Sequence, residues 1–159
     1  MIGKKVICLG TIAMTFMLNV YGKGVLRCDD KDVQDKLIHL IMKKHLDTLD
    51  DKKAKQIVKN SLKITYGDSF TLRYGDKDDG VDYVKCIAKI SKDIKYEKIL
   101  EIVNLELLKY KKAMSSGEYN EMLDEEAQEV HSKLQKTTNC MYEAERTDDG
   151  IHISDLLFC

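Results

Sequence analysis

From residue 31 onward the chain alternates between two hydrophobic rhythms. Val33, Leu37, Leu40, Ile41 and Leu46 recur at near-helical spacing behind Asp29-Asp30, a pair that offers an N-cap and first-turn acids. This predicts a helix from about Lys31 to Leu46. Asp50-Asp51 is suited to start a second, shorter helix through Ala54, Ile57 and Val58. The period then drops to two. Leu62, Ile64 and Tyr66 alternate with Lys63 and Thr65, and Phe70, Leu72 and Tyr74 alternate with Thr71 and Arg73. Gly75 to Gly80 reads as a turn. Beyond it Val84, Cys86, Ala88 and Ile90 are expected to face a core, with Tyr83, Lys85 and Lys89 on the other side.

Helical spacing returns from about Tyr96 to Lys112, carried by Ile99, Leu100, Val103, Leu107 and Leu108. Ser115-Ser116-Gly117 interrupts it. Ser116 is expected to cap a further helix through about Lys136, with Tyr119, Leu123, Ala127, Val130 and Leu134 on one stripe. A hairpin from Cys140 to Cys159 follows. The sum is an α+β fold, antiparallel sheet and hairpins packed against amphipathic helices, in the order α-(α)-β-β-α-α-β-β. Asp78-Asp79-Gly80 and Asp148-Asp149-Gly150 each precede a strand. An αββ unit used twice and two turns of favoured composition account for that echo equally well.

The first twenty residues follow a different pattern. Lys4 and Lys5 precede Val6 to Val20, a run without charge, and small residues follow at Gly22 and Gly24. A positive flank, a short apolar run and small residues form the grammar of a signal peptide. We therefore expect 1–22 to be a signal peptide, with cleavage near Gly22 or Gly24, and 23–159 to be a single mature domain. A membrane anchor needs about 20 apolar residues, more than this run supplies. Lipidation at Cys28 is disfavoured because Arg27 stands where processing wants a small side chain. The expected location is periplasmic or extracellular, with no stable membrane anchor after cleavage.

Cysteines support the same expectation. Of the five, Cys8 lies in the opening run, leaving Cys28, Cys86, Cys140 and Cys159, an even set suited to two disulfides. If Asp149-Gly150 fills a two-residue hairpin loop, Cys140 and Cys159 fall opposite each other, which leaves Cys28 to pair with Cys86.

Composition then narrows the function. Lys and Arg number 26 against 27 Asp and Glu, for a net charge of −1, and the basic residues are interleaved with acids. Nucleic-acid binding draws its affinity from phosphate neutralisation, so no nucleic-acid partner is expected. There is no proline and no tryptophan, and no linker marks a boundary between domains.

Catalytic and metal chemistry finds no foothold in the motifs. His39, His45, His131 and His152 show no paired-ligand spacing, and with the four cysteines bridged no thiol nucleophile remains. Asp76, Asp78, Asp79, Gly80 and Asp82 distantly suggest a calcium loop, but the glycine arrives one position early. Ile87 also stands where the bidentate glutamate belongs. No catalytic, cofactor or metal residue is nominated. The leading expectation is a non-enzymatic module that binds another protein, of inhibitor, immunity or envelope-accessory type. One alternative is a small exported hydrolase using paired carboxylates, at least one with a raised pKa. Another is a binder of small apolar ligands, which would require a cavity of about several hundred Å³.

Overall fold

A computed structural model describes residues 25–76 and 82–159. The expected signal peptide with Cys8, and the centre of the Gly75–Gly80 turn, lie outside the described residues. Four α-helices and four strands follow one another as α1 (Lys31–Asp47), α2 (Lys52–Ser61), β1 (Lys63–Asp76), β2 (Asp82–Asp93), α3 (Tyr96–Leu107), α4 (Ser116–Leu134), β3 (Thr138–Thr147) and β4 (Gly150–Leu157). A short 3₁₀ turn, Lys111–Ala113, separates α3 from α4. The strands form one antiparallel sheet in the order β1-β2-β3-β4. The fold is α+β, and each half of the chain runs helix, helix, strand, strand.

Helix boundaries follow local capping chemistry. The Asp51 carboxylate accepts the backbone N–H groups of Lys53 and Ala54, satisfying donors that the first turn of α2 leaves free. At α4 the cap is Ser115 rather than Ser116. Glu118 stands three residues after Ser115, so serine hydroxyl and glutamate carboxylate each take the other's backbone N–H in a capping box. α3 stops at Leu107 and not near Lys112, because the chain tightens through Tyr110 into the 3₁₀ turn.

Two apolar cores result. α1 lays Val33, Leu37 and Ile41 on the sheet, against Val84, Cys86, Ala88 and Ile90 of β2 and Cys140, Tyr142 and Ala144 of β3. α2, α3 and α4 pack with one another around Ala54, Val58, Ile99, Val103 and Ala127, and Ile94 closes the sheet-ward side. Ile64 touches both cores.

Cys28 is the junction of the first core. It is bridged to Cys86 with Cα atoms 5.8 Å apart, inside the usual disulfide range of roughly 4.4–6.8 Å. The Tyr66 hydroxyl donates to the Cys28 carbonyl at 2.7 Å and lies 2.9 Å from the Tyr142 hydroxyl. Burial, with the contact to Tyr66 second, pushes the Tyr142 phenol upward, so it stays protonated and able to donate.

The second bridge, Cys140–Cys159, joins the expected pair by an unexpected route. The loop of the β3–β4 hairpin is Asp148-Asp149, with Thr147 opposite Gly150, whose φ of +119° suits glycine. That register places Ala144 against Ile153 and Glu143 against Ser154, two positions away from the one that aligns Cys140 with Cys159. Two residues with positive φ, Asp155 (52°) and Phe158 (61°), take up the difference. A register shift lies between Met141 and Glu143, and the two cysteines then meet with Cα atoms 4.7 Å apart. The same shift reverses the facing of the last residues. Leu156 packs on the core and Leu157 is exposed, whereas unbroken alternation from the buried Ile153 would turn Leu157 inward.

β1 departs in a similar way. The two alternating runs, 62–66 and 70–74, lie on one strand whose register slips between Tyr66 and Ser69 and again between Thr71 and Arg73. Gly67-Asp68, a pair with weak strand preference, sits at the first slip. Ser69 and Thr71 therefore oppose the buried Ala88 and Cys86, while Phe70 pairs with Ile87 on the opposite face.

The two bridges close loops of different length, with sequence separations of 58 and 19 residues. In the chain-entropy model, replacing Cys28 and Cys86 by alanine should lower stability by about 4 kcal/mol, and replacing Cys140 and Cys159 by about 3 kcal/mol. Denaturant unfolding of the two variants checks this. Losses below about 1 kcal/mol for the first pair would mean that the bridge does not hold the fold.

Candidate binding surface

Among the described residues the helices cover one face of the sheet and leave the other uncovered. Outward positions on β2 and β3 alternate with buried ones, and the cross-strand register aligns them into rows. One row is apolar from edge to edge: Phe70 of β1, Ile87 of β2, Met141 of β3 and Leu157 of β4. Phe70 is 68% exposed and Leu157 48%, and Leu72, next to Phe70 along β1, is 51% exposed. Ile87 and Met141 between them are half-buried, and a contiguous apolar row with exposed ends marks interaction surfaces more often than isolated apolar residues do.

Charge on this face is divided by strand. Arg73, Lys85 and Lys89 stand on the β1–β2 side, and Glu143 and Glu145 stand on β3. The Lys85 ammonium lies 3.9 Å from the Glu143 carboxylate, next to the apolar row. Tyr83 lies over Gly75, where an added Cβ would come 2.7 Å from the ring and force it to move. The apolar band is thus flanked on one side by the row Arg73, Lys85 and Glu143 and on the other by Lys89 and Asn139.

A second feature lies on the helical side. A cleft of about 350 Å³ opens among the C-terminal end of α1, α2, α3 and α4. Its walls are mostly aliphatic, including Val58, Leu62, Ile102, Val103 and Val130, and His45, Thr48, Glu106, Glu126 and Lys133 add polar groups. Its size meets the cavity requirement of the apolar-ligand alternative. The Nε2 atom of His45 is enclosed and has no hydrogen-bond partner. Burial first, then the charges of Lys92 and Lys44, pull the His45 pKa down from 6.5 to about 4.

The other histidines are dispersed. His39 and His152 are exposed, and His131 contacts the Tyr96 ring edge-on at 5.3 Å rather than standing free on a charged surface. Among the described residues no group of three or more His, Cys, Asp or Glu could hold a metal ion. Three carboxylates are held below their usual range: Asp29 by its hydrogen bonds with Arg27, Glu118 by Ser115, and Glu129 by Lys133. None of these three is the raised acid that the paired-carboxylate alternative needs. Cys28, Cys86, Cys140 and Cys159 are all bridged and serve the scaffold.

Strand alternation alone did not point to the open-face row, because Phe70 reads as a core residue until the slip at Gly67-Asp68 is placed. That Gly-Asp pair between two alternating runs was the available signal. His45 lies on the predicted α1, but the enclosure of its ring depends on Lys92 and on the packing of distant helices. No protein-family model, no curated protein and no solved structure matches this chain.

His45 makes stability depend on pH. Folded, it stays neutral down to about pH 4, whereas an unfolded histidine takes its proton near 6.5. Between those values the unfolded state binds the extra proton, so stability falls as pH drops through that window. The facing charges are those of Lys44, Lys92, Glu106, Glu126 and Lys133. His45→Gln should remove about 1 kcal/mol of the stability difference between pH 7 and pH 4, a figure reduced for the ring's partial exposure. Urea unfolding of both proteins across that range measures it. Equal slopes would show that His45 is not the titrating group.

Proposed function

We propose that this chain is an exported, non-enzymatic protein-binding module, of inhibitor, immunity or envelope-accessory type, and that it binds through the open face of its sheet. The supporting observation is the edge-to-edge row Phe70–Ile87–Met141–Leu157, which no helix among the described residues covers. The partner suited to it is a protein whose contact patch is apolar at its centre and carries carboxylates opposite Arg73 and Lys89. Aromatic and aliphatic groups would anchor the contact and the charged margins would set its orientation. The bridged scaffold keeps the face rigid and limits the entropy lost on association. Two disulfides fit a location outside the reducing cytosol, and among the described residues no helix is long and apolar enough to cross a membrane. The charged, apolar and small-residue pattern of the opening segment supports export.

Phe70→Glu and Leu157→Glu change side chains already in contact with water, so stability should shift by no more than about 0.5 kcal/mol. Each should weaken a stoichiometric complex, isolated from an envelope extract of the source cells, by about tenfold or more. Lys36→Glu, on an exposed position of α1, should leave it intact. Binding unchanged by Phe70→Glu and Leu157→Glu, or no stoichiometric partner, would count against the reading.

A further inference from the structure

The charges beside the apolar row of the open face are arranged so that the face complements itself. Lys85 of β2 and Glu143 of β3 stand side by side in one row, with the ammonium 3.9 Å from the carboxylate. Ile87 and Met141 are neighbours in the next row, and Lys89 and Asn139 in the one after it. Outward cations therefore sit on β1 and β2, at Arg73, Lys85 and Lys89, while Glu143 and Glu145 sit on β3. A two-fold axis parallel to the strands and running between β2 and β3 exchanges those two strands, exchanges β1 with β4, and keeps each row on itself. Lys85 then faces Glu143 of a second copy, Ile87 faces Met141, and Phe70 faces Leu157.

An axis across the strands is unfavourable by comparison. Centred on the apolar row it sets Lys85 over Lys89 of the copy, and centred on the row beside it, Lys85 over Lys85 and Glu143 over Glu143. With the axis along the strands the four groups form a square of alternating sign, in which every charge gains a second opposite neighbour. Like charges meet only across the diagonal. The same axis gives the aligned mode of sheet packing, with strand directions about 30° apart because each sheet twists. Four strands about 4.8 Å apart, and four outward rows about 7 Å apart, make a face of about 500 Å² on each copy. The pair then covers about 1,000 Å², near the lower limit for a specific interface.

We propose that a second copy of this chain covers the open sheet face until a different protein takes it, in a two-fold symmetric, face-to-face dimer. The Phe70–Ile87–Met141–Leu157 rows leave water on both copies at once, and the Lys85–Glu143 square fixes their orientation. This dimer rests on the reading of the open face as the interaction surface, and it supplies the occupant of that face before the partner arrives. Copy and partner compete for one surface, so each excludes the other.

Sedimentation equilibrium of the purified chain, disulfides intact, over about 1 to 200 µM tests this. The mass should rise from one chain to two, with a dissociation constant of about 10 µM, as suits an interface of this size. Lys85→Glu and Glu143→Lys should each weaken self-association at least about tenfold, since a symmetric interface carries every substitution twice. Mixed in equal amounts, the two variants should associate again, because the acidic pair of one copy then faces the basic pair of the other. A pairing of Lys85 with Glu143 that acts only within one chain gives no such rescue. If Glu143→Lys does not fold, NMR of a mixture of differently labelled native copies replaces the mixing, with contacts expected between Ile87 of one copy and Met141 of the other. A mass of one chain throughout, self-association indifferent to Lys85→Glu, or variants that stay monomeric when mixed would overturn the dimer. A monomer whose envelope partner is still lost on Phe70→Glu overturns the dimer alone and leaves the face as the partner's site. A dimer with the rescue described, together with a partner indifferent to Phe70→Glu, upholds the dimer and removes the partner from this face.

Discussion

The Cys28–Cys86 bridge ties the segment before α1 to the middle of β2, and much of the remaining structure is arranged around that tie. Cys86 lies on a central strand with both neighbouring strands paired to it, so the bridge fixes which sheet face the first helix must cover. The Tyr66 and Tyr142 hydroxyls gather at the Cys28 carbonyl from β1 and β3, so three adjacent strands converge on the same junction. Burying these polar groups is tolerable because they satisfy one another. With α1 held there, the opposite face is left to solvent.

The two faces of the sheet then have different requirements. On the covered face small and branched side chains, Val84, Ala88, Ala144 and Ile153, fit beneath α1. On the open face the alternation of strand side chains would ordinarily place polar residues, and it does so in the rows around Lys85, Glu143, Lys89 and Asn139. The apolar row between them is the exception. It is completed at both edges by register slips, which turn Phe70 and Leu157 outward. Slips in β1 and near the end of β4 thus extend a short central pair, Ile87 and Met141, into a band spanning all four strands.

Element order, the core faces of α1, β2 and α4, and both disulfide pairs were legible in the sequence, because each depends on periodicity or on counting. Facing within the edge strands was not. Strand periodicity assumes an unbroken register, and one inserted residue inverts every later side chain. Unbroken alternation from Ile64 would turn Phe70 inward, and unbroken alternation from Ile153 would do the same to Leu157. Cys140–Cys159 was reached from a loop placed one residue too late, and the backbone at Asp155 and Phe158 restores the pairing that the true loop would have missed. The cleft was anticipated only as a requirement of one alternative. Its walls come from four helices whose mutual angles no local pattern encodes, and the state of His45 depends on Lys92, far along the chain.

The proposed export, the bridged junction and the open sheet face form one account, in which the Cys28–Cys86 pairing sets the face that α1 covers and the face left for the proposed partner. Non-reducing peptide mapping of the protein recovered from outside the cytosol tests it most directly. The account predicts a chain beginning just after Gly22 or Gly24, with peptides linked Cys28 to Cys86 and Cys140 to Cys159 and no free thiol. Cys28 found reduced, or joined to Cys140 or Cys159, would contradict it.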